Sequence, residues 1–455
     1  MHLTFQKTIT VVVIVGFFSI SSFSQKDNQP FAKNKTTVEL LDSLWQNPTS
    51  FFNINDPNWV ALCTNLNHFS IDDLNFISDE IFIDDNAQIH NEATADQGTL
   101  GKMNKRSNKK KTKKFDTKMS KDFRNLDKYP NHKVVLIEGD SWMEYPLFLK
   151  DIADYLMKND NLAIYSMASG GDWISNMISS GAYQEKYLSL KPDVFIISGG
   201  GNDILDEQNI KSFVNIDPID KNDEFLNNYR KYVILRRNSK PIPMCNSSYC
   251  PIEYHDYEDE MQSLNKNVNQ ENLEHIINGR RYLNKNYYRW LVSLKLEYKM
   301  LITSLKKIDP EHFKKLMIIT QGYDYAIPND KHRLGVSLLL ENGKWIKKPL
   351  DAIGITDKQI QQDIVMTLIF DFNEMLIELG KESSNIYHID SREFTNYLEV
   401  KDNKQPGDYW FDELHPKSQV FKQIADGYQA LIFNQFVEPH KVVNVVEYHK
   451  SKENY

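Results

Sequence analysis

The sequence KVVLIEGDSW at Lys133–Trp142 joins an apolar run to a Gly-Asp-Ser turn, a junction typical of the end of a buried strand in a parallel sheet. We predict a strand at Lys133–Glu138, which is continuously apolar from Val134 to Ile137, as in strands buried on both faces of a parallel sheet. Helical periods separate it from four similar runs, which lie at Leu162–Met167, Asp193–Ser198, Leu316–Gln321 and Asn385–Ile389. Alternation of strand and helix predicts an α/β fold, a three-layer α/β/α sandwich around a parallel sheet.

Two of the helical periods are long, and their apolar residues recur at intervals of three and four: Tyr287–Lys306 and Asp357–Leu379. Residues 205–286, which follow the third strand, form a stretch too long for an ordinary connection in such a fold. We predict that this stretch is a large insert, a lid or subdomain that crosses the site side of the sheet.

The chain has 455 residues and a formal net charge of −8. This mild acidity argues against nucleic acid as the main partner, since a phosphate-binding surface needs positive charge. Within residues 26–130, the N-terminal arm, acidic and basic residues are segregated. Residues 72–96 hold eight acidic residues and no Lys or Arg, whereas Lys102–Lys114 holds eight basic residues and no acidic one. The charges predict a partly disordered linker. The alternative is a contact of Lys102–Lys114 with an anionic polymer or membrane surface.

Residues 1–25 have the layout of a secretory signal peptide, with an apolar stretch at Ile9–Phe18 and small residues before the expected cleavage point. The apolar stretch is about half as long as the ~20 residues that span a bilayer, so an uncleaved anchor is the weaker alternative. We therefore expect an exported protein, periplasmic or extracellular. Disulfides persist in such a compartment, and we predict one between Cys245 and Cys250 in preference to a zinc half-site.

Residues with catalytic potential follow the predicted strands. Gly139-Asp140-Ser141 follows the first strand, Gly170-Gly171-Asp172 the second, and Gly200-Gly201-Asn202-Asp203 the third. Asp412-Glu413-Leu414-His415 comes after the fifth strand. Ligands of parallel α/β sheets bind at the carboxyl ends of the strands, so we expect these groups to meet at one edge of the sheet.

The chemistry of these residue types is complementary. A Ser hydroxyl becomes nucleophilic when a His accepts its proton, and the His needs a carboxylate to fix its tautomer. We predict Ser141 as nucleophile, His415 as general base and Asp412 as the orienting carboxylate. The developing oxyanion needs donors, which the backbone N–H groups of Ser141 and Gly171 and the side-chain amide of Asn202 would supply. The Lys-Ser/Thr of a P-loop is missing, which disfavours a phosphate cradle.

With these four blocks in this order, the chain resembles the SGNH hydrolases, also called GDSL-type esterases and lipases. The resemblance covers Lys133 to about Phe433 apart from the insert. It implies a five-stranded, flavodoxin-like sheet, the triad and oxyanion hole given above, and no metal or organic cofactor. Trp142 departs from the family, which usually has an aliphatic residue there, and should narrow or redirect the acyl pocket. Ser166-Met167-Ala168 also replaces an Asn common upstream of the second block, which weakens support around that block.

The sequence thus predicts a serine ester hydrolase that cleaves an acyl or acetyl ester of a glycan or lipid through an acyl-enzyme intermediate. Its domain spans residues 131–440, before a C-terminal tail at residues 441–455. His388, within the fifth strand, is expected to be a buried, hydrogen-bonded histidine. Two alternatives stay open: an SGNH-type O-acyltransferase on glycans, and a non-catalytic binding protein that retains the fold. The expected pocket walls are Asp140, Trp142, Tyr323 and Asp324.

Overall fold

The computed structural model describes residues 98–453 apart from residues 126, 146–147, 222, 224–225, 228, 231–232, 234–269, 330–344 and 435–440. The predicted signal peptide, the acidic block and the Cys245–Cys250 pair lie outside the described residues. No helix within the described residues is long and apolar enough to cross a membrane.

Six parallel strands form one sheet in the order β2-β1-β3-β4-β5-β6. They are β1 (Lys133–Gly139), β2 (Leu162–Ser166), β3 (Val194–Ser198), β4 (Met317–Gln321), β5 (Ile386–Asp390) and β6 (Val442–Asn444). The α/β class and the five predicted strands are confirmed, each to within one residue at either end. The predicted strand number of five is wrong, because β6 extends the sheet beyond β5.

The prediction of a C-terminal tail at residues 441–455 is therefore also wrong. β6 pairs in parallel with β5, with His388 opposite Val442, and a helix at Val445–Glu453 follows it directly. Val443 and Val445 are buried. A paired run of three residues is too short to be recognised by its periodicity, which explains why the sequence pattern did not reveal it.

The described helices are α1 (Gly98–Met119), α2 (Ile152–Leu156), α3 (Ile174–Ser180), α4 (Ala182–Leu190), α5 (Gly201–Ile204), α6 (Glu207–Phe213), α7 (Gln270–Arg280), α8 (Lys285–Ile308), α9 (Pro310–Phe313), α10 (Lys347–Ala352), α11 (Lys358–Lys381), α12 (Phe394–Lys401), α13 (Ser418–Ile432) and α14 (Val445–Glu453). The two long predicted helices are confirmed as α8 and α11. The side chain of Asp357 caps α11 by accepting from the N–H groups of Gln359 and Ile360.

The helices pack in two groups. Helix α2 contacts α13, whereas α8 contacts α3, α4 and α11. The connection from β1 to β2, which contains α2, runs along the sheet in the opposite direction from the connections that contain α3, α4, α8 and α11. Right-handed crossovers therefore place α2 on one face of the sheet and those four helices on the other. The carboxyl ends of the strands therefore stay open at one edge, between the two helical layers.

The described part of the predicted insert docks on α11. Helix α7 runs along α11, and a Cβ added at Gly279 would lie only 2.0 Å from the carbonyl oxygen of Asp363. The guanidinium of Arg280 is fully buried over the ring of Tyr288, 4.0 Å from its centroid. These contacts fix one end of the insert to the helical layer. Residues 234–269, a large part of the stretch at residues 205–286 predicted to be a lid or subdomain, lie outside the described residues.

The interpretation of Lys102–Lys114 as a linker is wrong, because these residues lie in helix α1, which packs against the edge strand β2. Lys111 is buried and forms ion pairs with Glu144 at 2.6 Å and Asp151 at 3.0 Å. Phe115 packs edge-on against Tyr165 of β2. The other seven basic residues of Lys102–Lys114 are exposed, and their contact with an anionic surface stays a prediction.

Candidate active site

The turn Gly139–Trp142, which carries the predicted nucleophile Ser141 and is called the nucleophile turn below, begins where β1 passes close to β3. The N–H of Asp140 donates to the carbonyl oxygen of Ser198 at 2.7 Å. A Cβ at Gly139 would lie 2.6 Å from the same oxygen, so only glycine fits at this crossing. The chain then turns, and Ser141 stands at the carboxyl end of the central strands with 9% of its surface exposed.

Ser141, His415 and Asp412 form a hydrogen-bonded chain. Ser141 Oγ lies 2.7 Å from His415 Nε2. His415 Nδ1 lies 2.9 Å from both carboxylate oxygens of Asp412. With Nδ1 donating to the carboxylate, Nε2 is the nitrogen that accepts the hydroxyl proton. The structure thus brings together the three residues predicted as a triad.

The loop that carries Asp412 and His415, called the histidine loop below, is held in a turn by hydrogen bonds from its backbone to the Asp412 side chain. Asp412 Oδ1 also accepts from the N–H groups of Leu414 and His415, both at 2.8 Å. The imidazole is held between two aromatic rings, Tyr145 at 4.8 Å and Trp345 at 5.9 Å between centroids. Burial, followed by the Asp412 charge, raises the pKa of the Tyr145 phenol above its ordinary value. Tyr145 therefore stays protonated beside the carboxylate.

The predicted oxyanion donors differ in whether they border the cavity at the site. Ser141 and Asn202 line the cavity at the site, whereas Gly171 is not one of its lining residues. Asn202 Nδ2 donates to the carbonyl oxygen of Asp172 at 2.9 Å. An amide group has two N–H donors, so this bond orients Asn202 and uses only one of them. Gly171 has a φ of 86°, a conformation that favours glycine.

Asp140 stabilises the turn that carries Ser141 through hydrogen bonds to its carboxylate. Its carboxylate accepts from the backbone N–H of Trp142 at 3.1 Å, from Ser198 Oγ at 3.2 Å and from the Tyr323 hydroxyl. Burial raises the pKa of Asp140, and these donors oppose that rise. Because all three bonds stabilise the turn, Asp140 holds Ser141 in place, although it also borders the cavity.

Trp142 and Tyr323 form one wall of the cavity. Their rings meet edge to face at 5.0 Å, and Trp142 also packs on Phe421 at 5.4 Å. The indole Nε1 of Trp142 donates to the carbonyl oxygen of Leu414 at 3.2 Å. The bulky side chain that departs from the SGNH pattern therefore connects the nucleophile turn to the histidine loop.

Asp324, expected as a pocket wall, also borders the cavity, but its carboxylate faces the backbone. It accepts from the N–H groups of Thr395 at 2.7 Å and Tyr325 at 2.8 Å. Burial raises the pKa of Asp324 to about 7. These bonds join the loop after β4 to the start of α12.

The cavity beside Ser141 is small: its empty space, which includes a part open to solvent, is about 320 Å³, and water-sized spheres can occupy about 20 Å³ of it. The four expected wall residues line it, as do Gly201 and Leu414 of the sequence blocks and three residues that the sequence did not indicate: Leu205, Ala326 and Ile369. These additional residues come from separate loops and helices, and their residue types carry no chemical signal. Their position depends on how the helices pack, which spacing along the chain does not encode.

Glu413 is a further residue whose role the sequence did not reveal. Its buried carboxylate accepts four backbone N–H groups, from Asn329, Trp345, Ile346 and Lys347, at 2.7–3.1 Å. Burial raises the pKa of Glu413, and these four bonds oppose the rise. The carboxylate thus joins the histidine loop to the segments on either side of residues 330–344.

The remaining titratable groups fit structural roles. His388 is buried as expected, with Nδ1 2.9 Å from Thr320 Oγ1 and Nε2 3.3 Å from Asn373 Oδ1. Burial lowers the pKa of His388 to about 4, so it is neutral at physiological pH. Among the described residues, no group of three or more His, Cys, Asp or Glu side chains is arranged to hold a metal ion.

In comparisons with known proteins, no family model matches the chain and no curated protein gives a significant match.

Proposed function

We propose that the protein is an exported serine ester hydrolase of the SGNH type. The observation that carries the proposal is the hydrogen-bonded chain from Ser141 Oγ to His415 Nε2 at 2.7 Å and from His415 Nδ1 to Asp412 at 2.9 Å. The strand order β2-β1-β3-β4-β5 supports it, since this is the order of flavodoxin-like sheets. Export rests on the signal-peptide layout of residues 1–25.

Acylation begins when Ser141 Oγ attacks the ester carbonyl carbon and its proton passes to His415 Nε2. Asp412 holds the imidazole in the required tautomer and stabilises the imidazolium that forms. The carbonyl oxygen becomes an oxyanion, which the Asn202 amide and the N–H groups of Ser141 and Gly171 stabilise. The tetrahedral intermediate collapses, the C–O bond to the alcohol breaks, and the alcohol leaves with the proton from His415.

Deacylation repeats these steps with water. His415 removes a proton from a water molecule, whose oxygen attacks the acyl carbon of the Ser141 ester. The second tetrahedral intermediate collapses, Ser141 regains its proton from His415, and the carboxylic acid leaves. The chemistry requires only the residues of the chain and water.

The cavity supports a short acyl group. The part of the cavity that water-sized spheres can occupy is only about 20 Å³, so the enclosed space is small. Trp142 and Tyr323 close one side of it with buried rings. An acetyl group fits such a space more readily than a long chain, so an acetylated glycan is the substrate class that we favour.

Initial rates on chromogenic acetyl, butyryl and long-chain esters test the proposal. We expect the parent to hydrolyse the acetyl ester fastest, and we expect Ser141→Ala and His415→Ala to be inactive. Equal hydrolysis by the parent and Ser141→Ala would contradict the proposed mechanism. Added sugar acceptors distinguish a transferase, which would form an acetylated sugar in place of free acetate.

A further inference from the structure

Helix α1 presents one face to the active-site loops. Its inward residues recur at intervals of three and four, which places them on one side of the helix: Asn104, Asn108, Lys111, Phe115 and Lys118. Lys118 Nζ donates to the carbonyl oxygens of Asn159 and Leu162, both at 2.8 Å. The helix is thus held to the domain by side-chain contacts along its length.

The part of this face from Asn104 to Lys111 contacts two of the segments that carry predicted catalytic groups, the turn with Ser141 and the loop after β2. Lys111 Nζ donates to the carbonyl oxygen of Met143, two residues after the nucleophile, at 3.1 Å. Asn108 Nδ2 donates to the carbonyl oxygen of Ala168 at 2.9 Å, and Asn104 Nδ2 to that of Gly170 at 3.0 Å. Asn104 is only 1% exposed.

The hydrogen bond from Asn104 differs from the other two because it is made to the peptide that contains the N–H of Gly171. The carbonyl of Gly170 and the N–H of Gly171 belong to one peptide unit, in which a trans geometry points the two groups in opposite directions. With its carbonyl directed at α1, this peptide directs the N–H of Gly171 away from α1. A peptide plane between two glycines can turn its carbonyl toward α1 or away from it with little intrinsic preference. A hydrogen bond from outside the loop therefore decides which way the carbonyl and the N–H point.

We propose that Asn104 is a positioning residue, which holds the Gly170–Gly171 peptide so that its N–H acts as an oxyanion donor. The inference rests on the proposed esterase function. A preorganised donor is worth far more in the transition state than one that must first reorient. Donation from Asn104 to the carbonyl also polarises the same amide and strengthens its N–H as a donor.

Asn108 provides a matched control. It lies one turn along the same helix and makes the same kind of bond to the same loop. The peptide that it contacts, between Ala168 and Ser169, already donates its N–H to the carbonyl oxygen of Gly139 at 2.8 Å. That N–H is engaged by β1, so Asn108 supports the loop without orienting an oxyanion donor.

The experiment compares Asn104→Leu with Asn108→Leu in the full-length chain, on the chromogenic acetyl ester. We expect Asn104→Leu to lower kcat about ten- to a hundred-fold, part of the 10²–10³ that a lost oxyanion donor costs. KM and the shape of the pH–rate profile should stay unchanged, since the triad is intact. Asn108→Leu should keep the parent's kcat, and thermal unfolding should show similar stability for the two variants.

Parent and Ser141→Ala are assayed first. If the parent has no ester activity and Ser141→Ala matches it, the proposed function fails, whatever Asn104 does. If the parent is active and Ser141→Ala is not, equal kcat values for the two Leu variants overturn the positioning role alone. Asn104→Ala removes the same donor without adding bulk and replaces the Leu variant if that variant does not fold. A kcat equal to the parent's would likewise overturn the role.

Discussion

The indole Nε1 of Trp142 donates a hydrogen bond to the carbonyl oxygen of Leu414 at 3.2 Å. One residue before Trp142 is the predicted nucleophile, and one residue after Leu414 is its predicted base. This bond therefore connects the two segments whose separation sets the distance from Ser141 to His415. It also explains how an indole can occupy a position where the SGNH pattern has an aliphatic side chain.

Two substitutions separate the roles of Trp142. Trp142→Phe keeps the ring contacts with Tyr323 and Phe421 but loses the N–H donor, at a cost to stability of about 1 kcal/mol. We expect a lower kcat on the acetyl ester with the same preference among acyl chains. Trp142→Leu opens the cavity wall, so butyryl esters should gain relative to acetyl esters. An unchanged acyl preference in the Leu variant would show that Trp142 does not limit the pocket.

Asn202→Ala removes the side-chain amide that lines the cavity. We expect kcat to fall by about 10²–10³, with KM little changed, because an oxyanion donor acts in the transition state. Asn209→Ala is the control, since Asn209 Nδ2 also donates to a backbone carbonyl, that of Asp203 at 2.6 Å, but does not line the cavity. Equal kcat values in steady-state assays of the two variants would remove Asn202 from the oxyanion hole.

Lys111→Met tests the buried ion pairs that hold α1 to the domain. The substitution leaves Glu144 and Asp151 buried without their cation, which should cost about 3–5 kcal/mol of unfolding free energy. Lys110→Met, at the exposed neighbouring position, should change stability little. Urea denaturation of the two variants measures the difference. Equal midpoints would mean that α1 contributes little to the stability of the domain.

The strands and the triad were accessible from the sequence, and helix α1 was not. The strands are buried on both faces, which leaves continuous apolar runs such as Val134–Ile137. The residues predicted to be catalytic follow those runs in chain order. Helix α1 instead docks through Asn104, Asn108 and Lys111, whose polar side chains resemble those of a solvated segment until their partners are known. Glu413 was missed for a similar reason, since its backbone partners lie 66–84 residues away in the chain.

The raised pKa of Glu297 predicts that the free energy of unfolding depends on pH. Burial raises its pKa from an ordinary value of 4.5 to about 8 in the folded protein. The folded state then keeps a proton that the unfolded state releases above its lower pKa, so the free energy of unfolding falls as pH rises between these two values. Below the lower value the contribution is fully present.

Glu297→Gln removes that titration while keeping the shape of the side chain. Denaturation midpoints measured from about pH 5 to pH 8 should fall less steeply in Glu297→Gln than in the parent. Glu447→Gln, at an ion-paired surface position, serves as the control and should follow the parent. Parallel curves for the parent and Glu297→Gln would contradict a raised pKa at Glu297.

Covalent labelling of the folded, full-length chain with a fluorophosphonate, followed by mass spectrometry of its peptides, tests whether Ser141 is an activated nucleophile. The probe's phosphorus is attacked by an activated serine and fluoride leaves, so the label marks the nucleophile. We predict a single modified peptide that contains Ser141, and no labelling of Ser141→Ala or of His415→Ala. Labelling of Ser141→Ala at the parent's rate would show that Ser141 is not the nucleophile.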